Sequence, residues 1–210
     1  MIIWLASFPK SGNTWLRSII SSLIYSDDGV FNFDLNKKIS QFPTKKHIED
    51  FTDNFHNIHE IKKYWILAQD KLNLDNRIKL FKTHHLNCTI DNYPFTNRDN
   101  TAGTIYIVRD PRNLVNSISN HFSKTPAEAK EFLFQTNIIG AEKDDKFDGE
   151  VAKLIGSWKD HFNFWTKKNE NLLLIKYEDI ILSPKKELGK IENFLSKFVK
   201  FEANETKQQN

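Results

Sequence analysis

Short continuous apolar runs separated by longer amphipathic stretches dominate this chain. The runs Ile2–Ser7, Ile78–Thr83, Thr104–Arg109 and Leu172–Tyr177 do not alternate with polar residues, which is the pattern of strands covered on both faces in a parallel sheet. Apolar residues at helical spacing mark Thr14–Tyr25, a segment around Ile58–Leu72, Pro111–Phe122, Pro126–Thr136, Val151–Lys168 and Pro184–Phe198. Strands alternating with helices predict an α/β fold, a three-layer sandwich with a central, mostly parallel sheet and right-handed crossovers. Two stretches break the rhythm. Asp27–Phe55 is polar, irregular and dotted with aromatics, and Gly140–Gly149 carries Glu142-Lys143-Asp144-Asp145-Lys146 and reads as a charged loop. Residues 1–201 read as a single domain, and 202–210 as a polar tail expected to fray.

A chain of 210 residues can bury most of its apolar surface without disulfides or metals. Cys88 is the sole cysteine, so neither a disulfide framework nor a cysteine metal cluster is available, and a reducing cytoplasm is the expected compartment. The N-terminus enters a strand at once instead of a basic leader, and no apolar run is long enough to span a bilayer. The formal charge of +3 is mild, with Lys interspersed among Asp and Glu. That favours a local anion site over a nucleic-acid-binding face. The histidines form no metal-ligand spacing beyond the loose His56/His59 pair, and no metal site is expected.

The candidate chemistry falls at the carboxyl ends of the strands, where open α/β sheets bind ligands. After the first strand comes Phe8-Pro9-Lys10-Ser11-Gly12-Asn13-Thr14-Trp15. A strand, a tight glycine-containing loop and a helix N-terminus converge backbone N–H groups on an anion. The loop is P-loop NTPase-like without being a Walker A motif. Aligned on Gly12 and Thr14, Asn13 stands where the nucleotide-binding lysine belongs, and Lys10 comes too early. At the third strand, Asp110 suits a helix cap and Pro111 its first turn. Arg109 and Ser117 can then grip one phosphate from two sides, although an Arg–carboxylate pair and a surface serine explain the same residues. At the second strand, extended backbone sends Lys82 and His84 to one face and Thr83 and His85 to the other. An imidazole there can accept a proton at neutral pH.

These motifs resemble the sulfotransferases. The loop matches a Phe/Tyr-Pro-Lys-Ser/Ala-Gly-Thr/Asn-Thr-Trp pattern. Arg109-Asp110-Pro111 followed by Ser117 matches an Arg-x-Pro with a serine eight residues after the Arg. Lys82-Thr83-His84 matches Lys-Ser/Thr-His, Gly156-Ser157-Trp158 a Gly-Ser/Asn-Trp helix, and Leu173–Asp179 an apolar strand ending in Tyr-Glu-Asp. The resemblance implies transfer of a sulfuryl group from 3′-phosphoadenosine 5′-phosphosulfate (PAPS), without a metal, to an acceptor hydroxyl or amine on a small molecule or carbohydrate. It implies that Ser11, Gly12, Asn13 and Thr14 hold the 5′-phosphate and that Arg109 and Ser117 hold the 3′-phosphate. Trp15 and Tyr177 would lie at the adenine, unless Trp15 is simply a core residue. Lys10 and Lys82 would stabilise the charge passing to the leaving phosphate, and His84 would be the base. His84 is followed by His85-Leu86 and not by Leu-Pro, so both histidines stay candidates. The acceptor would meet Asp27–Phe55 and Phe122–Gly149. The family's downstream Arg-Lys-Gly segment is not found, which leaves room for a partner or oligomer completing the donor site. Two other readings stay open, a P-loop kinase and a nucleotide-binding remnant without turnover.

Overall fold

The computed structural model describes residues 1–141, 149–167 and 171–199; residues 142–148 of the charged loop, the 202–210 tail and the boundary at 201 lie outside the described residues. In chain order the strands are β1 (Ile2–Ala6), β2 (Lys79–Thr83), β3 (Thr89–Ile90), β4 (Tyr93–Pro94), β5 (Thr101–Val108), β6 (Asn137–Ile139), β7 (Lys153–Gly156) and β8 (Leu172–Lys176). The α-helices are α1 (Asn13–Tyr25), α2 (Lys45–Ile48), α3 (Ile58–Ile61), α4 (Trp65–Asn73), α5 (Pro111–Phe122), α6 (Pro126–Phe134), α7 (Trp158–Thr166), α8 (Tyr177–Leu182) and α9 (Pro184–Leu195).

The four expected strands form one parallel sheet of order β2-β1-β5-β8. Every residue of the central strand β1 is buried, and strict alternation divides them between two cores. Ile2, Trp4 and Ala6 face a cluster with Phe42, Trp65, Phe81, Phe95, Tyr106 and Trp165. Ile3 and Leu5 face Leu16 and Ile20 of α1, Ile105 and Ile107 of β5, and Ile191 and Leu195 of α9. One layer of helices thus covers each face, giving the three-layer architecture. A third cluster joins Phe8 to Leu114 and Ile118 of α5, Phe132 of α6 and Ile155 of β7. It packs the loop after β1 onto the helices that follow β5.

Several expected elements differ. Val151–Lys168 is not one helix: Lys153–Gly156 is a strand paired antiparallel with β6. Gly156, at a φ of 64°, turns the chain, and Ser157 caps α7 by accepting from the Asp160 N–H. A short apolar run before a glycine cannot be told from a helical turn by periodicity alone. Ile58–Leu72 is divided into α3, a 3₁₀ turn at Lys62–Tyr64 and α4. Tyr177 opens α8 instead of closing β8. Asp27–Phe55 contains a 3₁₀ turn at Phe33–Lys38 as well as α2, and Gln41 bridges in parallel to Lys82 at the sheet edge. The hairpin β3–β4 had no place in the sequence pattern; it turns on Asp91-Asn92, both at positive φ. Among the described residues no helix is long and apolar enough to cross a membrane.

Phe95 packs against Trp4 (ring centroids 5.5 Å apart), Phe42 (6.0 Å), Trp65 (5.6 Å) and Trp165 (6.1 Å), and is wholly buried. Phe95→Ala should therefore lower the unfolding free energy by about 3–5 kcal/mol in a urea titration. A loss below about 1 kcal/mol would show that this cluster is not the packed core described.

Candidate functional site

The carboxyl ends of β1, β2 and β5, with the start of α8, surround a cleft of about 1130 Å³. Lys10, Gly12, Asn13, Thr14, Trp15, Lys82, His84, Arg109, Ser117 and Tyr177 all line it. Of the expected site residues only Ser11 does not; it is buried beneath the loop, its amide donates to the Phe8 carbonyl (3.3 Å) and its Oγ has no partner.

The loop after β1 is held from behind. Asn13 Nδ2 donates to the Leu5 carbonyl (2.8 Å) and to Ser7 Oγ (3.1 Å), so its side chain braces the strand end and only its backbone is left for a ligand. Lys10 takes a φ of 68°, and its carbonyl accepts from Arg109 Nη1 at 3.4 Å. Gly12, at a φ of 100°, precedes α1 without a side-chain cap. A Cβ there would meet the Tyr177 ring at 2.5 Å, so glycine is required for space as well as for backbone angle. The Leu16 N–H donating to the Gly12 carbonyl (3.0 Å) closes the first turn, and the N–H groups of Asn13, Thr14 and Trp15 have no intrahelical acceptor. The helices α5, α6 and α7 are capped by Asp110, Thr125 and Ser157; here the amides and the helix dipole are open to an anion.

Arg109 lies with its guanidinium carbon 4.3 Å from the centre of the Tyr177 ring, and the Trp15 ring meets that same ring edge-on at 5.4 Å. Trp15 is 39% exposed, so it is not a core residue. Among the described residues no carboxylate pairs with Arg109, and its buried Nε is unpartnered. The nearby acids are engaged elsewhere: Asp110 with Arg112, and Glu178 with the Asp110 N–H (3.1 Å). Orphan amides and a buried Arg Nε without partner together suit a polyanionic ligand.

The two histidines are cleanly distinguished. His85 is completely buried, stacked on Phe95 at 4.4 Å and bonded through Nδ1 to the Leu86 carbonyl (2.8 Å). His84 lines the cleft, and its Nδ1–H donates to the Ser7 carbonyl (2.8 Å). That tautomer leaves the Nε2 lone pair free to take a proton. Ser7 escaped sequence reasoning, because a serine at a strand end carries no signal of its own. His161 escaped as well: Tyr106 O–H donates to its Nδ1 (2.9 Å) and its Nε2–H donates to the His84 carbonyl (3.1 Å), holding the His84 backbone in place.

Cations crowd the cleft. Burial, together with Arg17 and Lys10, pushes the Lys82 amine down to about 8. Burial and Lys82 push Lys153 down to about 7, and burial followed by Lys82 holds His84 well below the ordinary imidazole value. Glu150 is the sole carboxylate among the described lining residues. No group of three His, Cys, Asp or Glu residues is arranged for a metal among the described residues.

Comparison with known proteins follows this geometry. The family model described as a sulfotransferase domain matches residues 2–209. The chain is 28% identical over 209 residues to mouse (Mus musculus) sulfotransferase 1B1, covering 96% of this chain and 60% of that protein. Among solved structures it is similar to mouse sulfotransferase SULT7A1 complexed with PAP, at 25% identity and a TM-score of 0.56, covering 95% of this chain and 59% of the other. A retinol dehydratase in complex with androsterone and inactive cofactor PAP shares the fold at 19% identity and a TM-score of 0.58, covering 99% of this chain and 62% of the other. The chain thus spans about 60% of the length of the curated relative it matches.

The buried imidazoles set a pH dependence. Burial pushes His85 and His161 down to about 3 and His47 down to about 4. Unfolded, each titrates near its ordinary value of about 6.5, so below that pH the unfolded chain binds more protons. Stability should fall as pH drops from about 6.5 towards 4, by on the order of 1.4 kcal/mol per pH unit for each histidine. Urea midpoints at about pH 7.5 and about pH 5 measure this; equal midpoints would contradict buried neutral imidazoles.

Proposed function

The chain belongs to the sulfotransferase family, and on that footing we propose that it moves a sulfuryl group from PAPS to a small-molecule or carbohydrate acceptor bearing a hydroxyl or amine. The observation that carries the reading is the convergence, in one cleft, of uncapped helix amides, an Arg109 with no carboxylate partner among the described residues and a neutral imidazole presenting Nε2. When bound, the donor supplies the sulfuryl group and a phosphate leaving group. The α1 amides and the Thr14 hydroxyl take the 5′-phosphate. Arg109 and Ser117 take the 3′-phosphate, with Arg109 also resting on Tyr177. Trp15 and Tyr177 offer aromatic surface to the adenine. The mouse relative complexed with PAP supports a 3′-phosphorylated adenosine ligand.

His84 accepts the acceptor's proton at Nε2, while Ser7 and His161 keep the ring and its backbone in place. Lys10 lies in the loop beside the phosphate cradle and Lys82 beside His84, so both put positive charge where negative charge develops. The kinase reading loses support because the Asn13 side chain is turned inward to the Leu5 carbonyl, leaving no group in the Walker lysine's place. Within this reading residues 1–201 act as one catalytic domain. The compartment is a reducing cytoplasm, which suits the buried, free Cys88, whose thiol burial pushes up to about 11.

Lys10→Ala should abolish transfer while the unfolding midpoint is retained. Arg109→Ala should weaken binding of adenosine 3′,5′-bisphosphate at least ~10-fold and leave 5′-AMP unaffected, by calorimetric titration. Unchanged affinity for the bisphosphate in that variant would remove Arg109 from the site, and preference of the native chain for Mg-ATP would overturn the reading.

A further inference from the structure

Beyond Lys82 and His84 the cleft wall is unusually polar, in a way the donor does not use. Gln41 follows Ser40, whose carbonyl accepts from the Lys82 N–H (2.9 Å), and precedes Phe42, whose N–H donates to the Lys82 carbonyl (2.9 Å). Gln41 therefore sits against the strand that carries Lys82. Its Nε2 donates to both Glu150 carboxylate oxygens, at 3.2 and 3.3 Å. The same carboxylate pairs with Lys153, whose side chain is only 2% exposed, whereas that of Glu150 is 38% exposed. The charge of Lys153 is felt at His84, and that of Lys82 at Lys153. The triad is thus a neighbour of the base within the same cleft. Phe122 and Phe132, with ring centroids 5.0 Å apart, line the same cleft.

Resting on the sulfotransferase reading, we propose that Gln41, Glu150 and Lys153 are the specificity-determining residues of an acceptor subsite for a polyhydroxylated ring, a sugar. Hydroxyls next to the reacting one donate to the Glu150 carboxylate and accept from the spare protons of Lys153. The half-buried Phe122 ring, backed by the buried Phe132, packs against the C–H face of the same molecule. Holding the local backbone does not require the triad: Lys45 N–H to Gly149 (2.8 Å), Ala152 N–H to Phe55 (2.9 Å) and Leu86 N–H to Leu154 (2.7 Å) already fix the segment. A buried ion pair is commonly no more stabilising than apolar residues of the same volume. A flat apolar acceptor would cover the carboxylate and the ammonium without replacing their water.

The test uses the purified chain, PAPS and a panel of methyl pyranosides, with cyclohexylmethanol and 2-naphthol as alcohols lacking vicinal hydroxyls. Binding of adenosine 3′,5′-bisphosphate and of the pyranosides in its presence is measured separately by calorimetry. At least one pyranoside should be preferred by ~10-fold or more in kcat/KM. Glu150→Gln, which keeps shape while removing charge, should reduce that preference ~10-fold and raise the pyranoside's dissociation constant. Gln41→Leu, at a half-buried position whose backbone bridge to Lys82 does not use the side chain, should do the same. Equal or better use of 2-naphthol or cyclohexylmethanol, or variants that leave the ratio unchanged, overturns the subsite. A chain that binds the bisphosphate yet sulfates no pyranoside overturns only this inference; one that fails to bind the bisphosphate overturns the donor reading and this one with it.

Discussion

Everything at the cleft depends on how the chain leaves β1. A strand buried on both faces and paired on both edges cannot drift, so whatever follows it is delivered to a fixed point. The exit is then secured by one side chain, since Asn13 reaches back to the Leu5 carbonyl and the Ser7 hydroxyl. That brace makes the turn tight enough for α1 to begin with its amides pointing at the cleft. Through Ser7 it also reaches His84, which belongs to a different strand. The phosphate cradle and the proposed base therefore share one support, and neither is assembled from a loop free to move on its own.

Charge is the second organising element. Lys10, Lys82, Arg109, Lys124 and Lys153 all border the cleft, where Glu150 is the one carboxylate among the described lining residues. Such crowding is unfavourable in the absence of an anion, because each partly desolvated cation disfavours the next. Burial first, and the neighbouring cations after it, push the Lys82 and Lys153 amines down. A multiply charged phosphate ligand would relieve this crowding, so binding of the proposed donor and stability should be thermodynamically linked.

Much of this was legible in the sequence for identifiable reasons. Buried parallel strands are written as uninterrupted apolar runs, and the ends of those runs located Lys10, Lys82, His84 and Arg109. Strand alternation also separated His84 from His85, although only packing against Phe95 and Trp65 reveals that His85 is enclosed. What stayed hidden has a physical cause too. Lys153-Leu154-Ile155 looks helical until Gly156 and the Ser157 cap are recognised as a boundary. Glu150 and Lys153 lie three residues apart, but Gln41 stands 109 residues before Glu150, so no local pattern could unite the three. Ser7 and His161 act through hydrogen bonds to backbone carbonyls, which leave no signature in residue order.

The contact between Gly12 and Tyr177 carries a consequence for descent. The two positions belong to opposite ends of the chain, yet they compete for one volume, with a missing Cβ on one side and an aromatic ring on the other. A lineage that enlarges residue 12 must first shrink residue 177, and doing so strips the platform on which Arg109 rests. The two positions are therefore coupled through space, and a change at either one is felt at Arg109.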